Sequence, residues 1–195
     1  MNASVPPPPG SGPRRLVVIG NGMAPGRMLE RLIEREGDAF AERWQVTIFN
    51  AEPRVNYDRL MLSPVLTGEK TFDDIVTHDE AWYERHAIAL HRGCRVVAID
   101  RERRTVTDAR GAVHPWDDLV IATGSTPNRL PLPGADLDGV MVYRDLDDVE
   151  RMIDACAACR DVVPGAGGPA AGRSSSAGAC SGSRRPTGSP RRAWT

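Results

Sequence analysis

Apolar residues arrive in short bursts along this chain, and the spacing within each burst predicts an element. Leu16-Val17-Val18-Ile19 is an uninterrupted apolar run, the pattern of a strand covered on both faces, as in a parallel α/β sheet. The run stops on Gly20-Asn21-Gly22. From Met23 to Arg35 the apolar positions take helical spacing, with Met28, Leu29, Leu32 and Ile33 on one face. Trp44 to Phe49 predicts a second strand and closes a β-α-β unit of about 30 residues. Ile88 to His91 and Arg95 to Ile99 read as further strands. Thr105 to Thr107 and Val113 to Trp116, on either side of Asp108-Ala109-Arg110-Gly111, read as a hairpin. Asp118 to Gly124 is expected to be a second buried strand that also ends on glycine. Helices are predicted from Asp79 to Arg85, with Asp79 as cap and Trp82 on the apolar side, and from Asp145 to about Ala158, capped by Asp145. Arg54 to Lys70 has no clean period and is read as a short helix followed by a loop. The sum is an α/β fold, a parallel sheet with a small antiparallel hairpin element.

Both ends break this pattern. Met1 to Pro13 carries four consecutive prolines and no apolar core, and is expected to be an extended, disordered leader rather than a signal or anchor. Residues 161–195 are mostly Gly, Ala, Ser, Arg and Pro and cannot bury enough surface to offset their ordering entropy, so a disordered tail is expected there. The domain between them is placed at 14–160. At 195 residues the chain suits one domain with a core and is too short for a reductase that holds two nucleotides.

The formal charge of −1 gives no electrostatic attraction to nucleic acid or to an anionic membrane, and neither partner is expected. No run approaches the roughly 18 apolar residues of a membrane helix. Four scattered cysteines, Cys94, Cys156, Cys159 and Cys180, do not form a disulfide framework, and a cytoplasmic location is expected.

The candidate chemistry lies at the first strand-to-helix turn. Gly20 and Gly22 let bare backbone approach a ligand, and the helix that follows aims free N–H groups and its dipole at an anion, the arrangement that holds a dinucleotide pyrophosphate in a Rossmann-like fold. The usual G-x-G-x-x-G spacing is broken by Pro25, which a first helical turn tolerates, and Gly26 restores the close approach. The alternative is a βα turn without a ligand. An acid at the end of the second strand normally hydrogen-bonds a ribose hydroxyl. Glu52 is the charged candidate and Asn50 a neutral substitute; otherwise Glu52 is a solvated turn residue before Pro53. Cys156-x-x-Cys159 suits a dithiol or half a metal site, but with no second pair it reads better as two small helix residues. His78, His86, His91 and His114 are dispersed and read as surface or structural. No metal site and no general acid, base or nucleophile stands out, as expected where a cofactor carries the chemistry.

Several further motifs occur in one order: Gly20-Asn21-Gly22-Met23-Ala24, Ala51-Glu52-Pro53, Asn56-Tyr57-Asp58-Arg59, Leu62-Ser63-Pro64-Val65-Leu66 and Gly68 to Ile75. Together they resemble the N-terminal FAD-binding region of the large subunit of NAD(P)H-dependent nitrite reductase. Ala122-Thr123-Gly124-Ser125 is similar to a broader motif of the pyridine-nucleotide–disulfide oxidoreductase class. The resemblance covers about residues 15–160 and implies a Rossmann-like FAD/NAD(P)-binding fold.

It also implies roles. Gly20, Gly22, Met23 and Ala24 would line the pyrophosphate, Glu52 or Asn50 the adenosine ribose, and Arg59 the flavin or its phosphates. Val97 would meet the adenine by backbone, and Ala122, Thr123 and Gly124 would close over the FAD. Arg59 reads equally well as a surface ion pair. In that family a second glycine-rich fold holds NAD(P)H, and iron–sulfur and sirohaem modules follow. Here Gly165-Ala166-Gly167-Gly168-Pro169-Ala170 opens like such a second fold and then loses the pattern, which a shift of reading frame would explain. NAD(P)H would then serve as donor only if a partner chain supplied its domain and the metal modules. The implied function is an FAD-binding electron carrier of the nitrite reductase type. The alternatives are a small FAD-dependent reductase serving a ferredoxin or rubredoxin, or a truncated product that binds nothing firmly.

Overall fold

Leu16 to Ile19 have no polar interruption because both faces of their strand are covered. In the computed structural model, which describes residues 12–162, β1 (Arg14–Ile19) lies between two parallel neighbours. It is followed by α1 (Met23–Glu36), α2 (Phe40–Arg43) and β2 (Trp44–Phe49), then by β3 (Asn56–Tyr57) and α3 (Leu62–Thr67). Next come β4 (Val76–His78), α4 (Glu80–Arg85), β5 (Ala89–His91), β6 (Val96–Asp100), β7 (Thr105–Asp108) and β8 (Val113–Pro115). β9 (Asp118–Ile121) and α5 (Leu146–Val162) complete the described chain. The expected leader and tail fall largely outside the described residues, as do Cys180 and the second glycine run.

The main sheet is parallel throughout, in the order β5-β2-β1-β9. Alternate residues of β1 feed two cores. Leu16 and Val18 pack with Leu29 of α1, Val46, Ile48, Phe40 and Tyr83; Val17 and Ile19 pack with Phe49, Cys94 and Val106 of the antiparallel sheet β6-β7-β8. The domain is therefore layered as helix, parallel sheet and antiparallel sheet, the burial on both faces that an all-parallel sheet requires. A third cluster, Tyr57, Leu62, Ile75, Leu146 and Val149, fixes α3 and α5 beside the β3–β4 pair.

The α/β class, the first β-α-β unit, the Asp79 cap and the hairpin agree with the sequence reading. Asp79 accepts from the N–H of Trp82 at 2.8 Å. Three elements differ. Residues 54–70 form β3, one turn of 3-10 helix and α3 rather than a helix and a loop. The helix that starts near Asp145 continues to Val162, so 161 and 162 belong to it. β9 is not buried: among the described residues no strand pairs with its outer edge, and Ile121 is 61% exposed. An unbroken apolar run marks potential for burial, and the missing neighbour lies outside anything the run encodes.

Two bidentate ion pairs clamp the start of β9. Arg14 grips Asp118 with both contacts at 2.9 Å, and Arg15 grips Asp117 at 2.8 and 3.0 Å. The Arg15 guanidinium holds the Asp117 carboxyl down to about 2. At Asp108, a hydrogen bond with His114, aided by the N–H groups of Ala112 and Arg110, also brings the carboxyl down to about 2. Both values lie below the unfolded value of about 3.9, so the stabilisation is complete above that pH and is lost as pH falls through the folded pKa. Stability measured by thermal melting should therefore decline between about pH 4 and pH 2. The decline should be shallower in Asp117→Asn and Asp108→Asn, and equal slopes in all three proteins would refute the assignment.

Candidate functional site

The polypeptide leaves the main sheet at one level. Ile19 of β1 is in register with Phe49 of β2 and with Ile121 of β9, and the three loops that follow surround a cleft of about 420 Å³. Gly20 makes the first turn. Its φ is +105°, and a Cβ there would sit 2.2 Å from the carbonyl oxygen of Ala122, so the close approach of the first and last loops demands glycine. Backbone bonds fasten the rim: Gly20 donates to Phe49 at 2.8 Å, Ala122 to Ile19 at 2.8 Å and Asn50 to His91 at 2.9 Å.

Gly22 is the N-cap of α1. No side chain caps the helix, and its first turn contains no acid. The N–H groups of Met23 and Ala24 have no partner within a helix, and both residues line the cleft. Asn56, buried behind the turn, donates from Nδ2 to the carbonyls of Asn21 at 3.0 Å and Gly22 at 2.6 Å. Those carbonyls are thereby satisfied, while the positive end of the dipole remains open to the cleft. Pro25, buried in the first turn, costs no hydrogen bond there. A Cβ at Gly26 would meet Nδ2 of Asn56 at 2.9 Å, so the glycine beside Pro25 does provide the close approach.

Asn50 and Glu52 follow β2. Asn50 is spent on its own loop, donating to the carbonyl of Arg54 at 2.8 Å and accepting from the N–H of Glu52 at 3.4 Å. Glu52 accepts from the Tyr57 hydroxyl at 2.8 Å and forms an ion pair with Arg59. Arg59 also donates to the carbonyl of Arg144 at 3.3 Å.

Of the residues singled out in the sequence, Gly20, Gly22, Met23, Ala24, Asn50, Glu52, Arg59, Ala122, Thr123 and Gly124 are brought together in this cleft. Val97 is not among its lining: it is 61% exposed, and Val96 takes the place in the wall. The pairing of β6 with β7 shifts register between Val96 and Ala98. Sequence reasoning overlooked Arg95 and Arg144, which line the cleft, and Asn56, which holds the turn. Asn56 lies within a motif already singled out, but the two arginines carry no local signal.

The histidines serve the framework. His78 contacts Glu30 at 2.9 Å and the Trp82 ring at 4.1 Å, His86 bonds within its own helix, and His91 stacks on Phe49 at 4.9 Å. His114 contacts Asp108 at 3.1 Å. Burial beside Asp108 pushes the Cys94 thiol up, away from reactivity. Cys156 and Cys159 lie exposed on α5. Among the described residues no cluster of His, Cys, Asp and Glu could hold a metal ion, and no helix is long and apolar enough to cross a membrane.

An open helix N-terminus after the first strand, an acid after the second and a glycine turn after the last are the layout of a Rossmann-type dinucleotide-binding domain. Residues 14–171 match the pyridine nucleotide-disulphide oxidoreductase family, and the chain belongs to it. It is similar to nitrite reductase [NAD(P)H] of Bacillus subtilis, at 42% identity over 74% of this chain and 17% of that protein. It is also similar to the assimilatory nitrate reductase electron transfer subunit of the same organism, at 39% identity over 72% and 18%. The chain thus spans under a fifth of these relatives. Among solved structures, NADH:rubredoxin oxidoreductase from Clostridium acetobutylicum superposes with a TM-score of 0.65, at 25% identity over 74% of this chain and 36% of that one.

Proposed function

We propose that residues 14–160 form an FAD-binding unit, and that the chain carries the flavin step of an electron route from NAD(P)H of the nitrite reductase type. The observation that carries this reading is the uncapped N-terminus of α1 facing the Glu52–Arg59 pair across one cleft. The residues suit the group. The N–H groups of Met23 and Ala24 offer donors to a pyrophosphate, and nothing lies within 4 Å of a Cβ position at Gly22. Glu52 would take the adenosine ribose, Arg59 and Arg144 would supply positive charge, and Ala122, Thr123 and Gly124 would close over the cofactor with main-chain atoms. When bound, FAD supplies the conversion between hydride and single-electron transfer, and this chain binds and orients it. An NAD(P)H domain and metal modules, on a partner chain or elsewhere on the same polypeptide, would complete the route in a cytoplasmic assembly. A second reading, a reductase serving a ferredoxin or rubredoxin, draws on the superposition with the rubredoxin reductase.

Purification of the full chain with added FAD, followed by a visible spectrum and flavin extraction, tests the proposal. Stoichiometric FAD, with little bleaching when NADH is added anaerobically, is the expected result. A folded protein that remains colourless in excess FAD would refute it. Rapid bleaching would refute the need for a separate NAD(P)H domain and favour a self-sufficient reductase.

A further inference from the structure

We infer that Tyr57 is the positioning residue of this site, its buried hydroxyl aiming the Glu52 carboxylate at the ribose of an adenine nucleotide and so setting a preference for a free 2′-hydroxyl. The inference rests on the cofactor reading above and adds to it a residue and a ligand feature.

Three observations support it. The first is burial: Tyr57 is 4% exposed and packs among Leu62, Ile75, Leu146 and Val149, with the Phe72 ring edge-on at 5.9 Å. The second is direction. The N–H of Leu146, at the start of α5, donates to the Tyr57 oxygen at 3.4 Å, which leaves the phenolic proton for Glu52 Oε2 at 2.8 Å. Burial and the neighbouring carboxylate push the phenol pKa above its ordinary value, so the hydroxyl stays a donor across the working range. The third is division of labour. Arg59 engages the other oxygen, Oε1, and lies over the Tyr57 ring at 5.3 Å.

Each carboxylate oxygen thus has one fixed donor. An ionised carboxylate has about four lone-pair sites, so two remain for the vicinal hydroxyls of a ribose. Arg59 contributes charge and is itself held by the carbonyl of Arg144. Tyr57 is anchored at both ends of its ring and contributes the angle. The other acid in the cleft lining, Asp145, accepts from the N–H of Asp148 at 3.0 Å, and the Asp58 side chain is turned to the N–H of Leu60 at 2.9 Å.

Calorimetric titration of ADP and 2′-deoxy-ADP into the full chain, Tyr57→Phe and Glu52→Gln tests the inference. Phenylalanine keeps the packed ring and removes only the hydroxyl, and a melting curve verifies the fold. The original chain should favour ADP by about tenfold or more, the scale of a hydrogen bond to a charged group. In both variants the ratio should fall towards one. A purely structural role for Tyr57 would weaken both nucleotides equally and keep the ratio. If Tyr57→Phe keeps the ratio while Glu52→Gln collapses it, the inference is overturned and the cofactor reading stands. If the unaltered chain binds neither nucleotide, the cofactor reading itself falls and the inference with it.

Discussion

Gly20→Ala is expected to destabilise the domain by about 2–6 kcal/mol, the sum of a positive-φ strain and an overpacking cost. The methyl would lie 2.2 Å from the Ala122 carbonyl oxygen, on a residue whose φ is +105°. Relief requires Ala122 to retreat. That breaks its bond to Ile19 and opens the seam between β1 and β9 where it meets the cleft. Against a typical margin of about 5–15 kcal/mol, the loss is a large fraction of total stability. Urea unfolding measures it, and a midpoint unchanged from the parent would sink the argument. Gly22→Ala is the informative contrast. No atom lies within 4 Å of that Cβ, so stability should hold while the methyl obstructs backbone approach to a pyrophosphate.

Phe49→Ala should cost about 3–5 kcal/mol, the usual toll for emptying a buried aromatic site. Phe49 is 1% exposed and packs with Val17, Ile19, Cys94 and Val106. Its ring also stacks on His91, with centroids 4.9 Å apart and planes 8° from parallel. Because Phe49 is at once core and cleft wall, affinity for an adenine nucleotide should fall together with the melting temperature. Ile48→Ala is the control. Its side chain faces the opposite core with Leu29 and Leu16, so it should lose about 2–5 kcal/mol while the folded fraction keeps its affinity. Equal affinity losses in the two variants would mean that Phe49 has no part in the site.

The layout was readable wherever the information is local. Leu16 to Ile19 show a strand, the spacing of Leu29, Leu32 and Ile33 shows the face of α1, and Asp79 shows where α4 begins. The cleft was readable where a turn demands glycine: Gly20 and Gly124, both at positive φ, announce their turns. Arg144 joins the site from 85 residues beyond Arg59, brought there by the docking of α5 through Arg54 to Asp147 and Glu150. No spacing rule records such a meeting. Val97, expected to meet the adenine by backbone, lies outside the cleft lining beside a register shift in β6 that the local sequence does not mark. The exposure of β9 is a third case, because a strand's own residues do not say whether a neighbour will be present.

The shared level at which β1, β2 and β9 end has an evolutionary consequence. Ile19, Phe49 and Ile121 occupy one rung of the sheet, and the residues that line the cleft lie mainly beyond it, in loops free of the strand ladder. Selection can therefore act on the two sides of that rung almost separately. Mutations below it are filtered by whether the protein survives, and most mutations above it by what the protein holds, Gly20 being the exception because its close approach to Ala122 is structural. Phe49, standing on the boundary, and Gly20, one step beyond it, are positions where those two histories are bound to coincide.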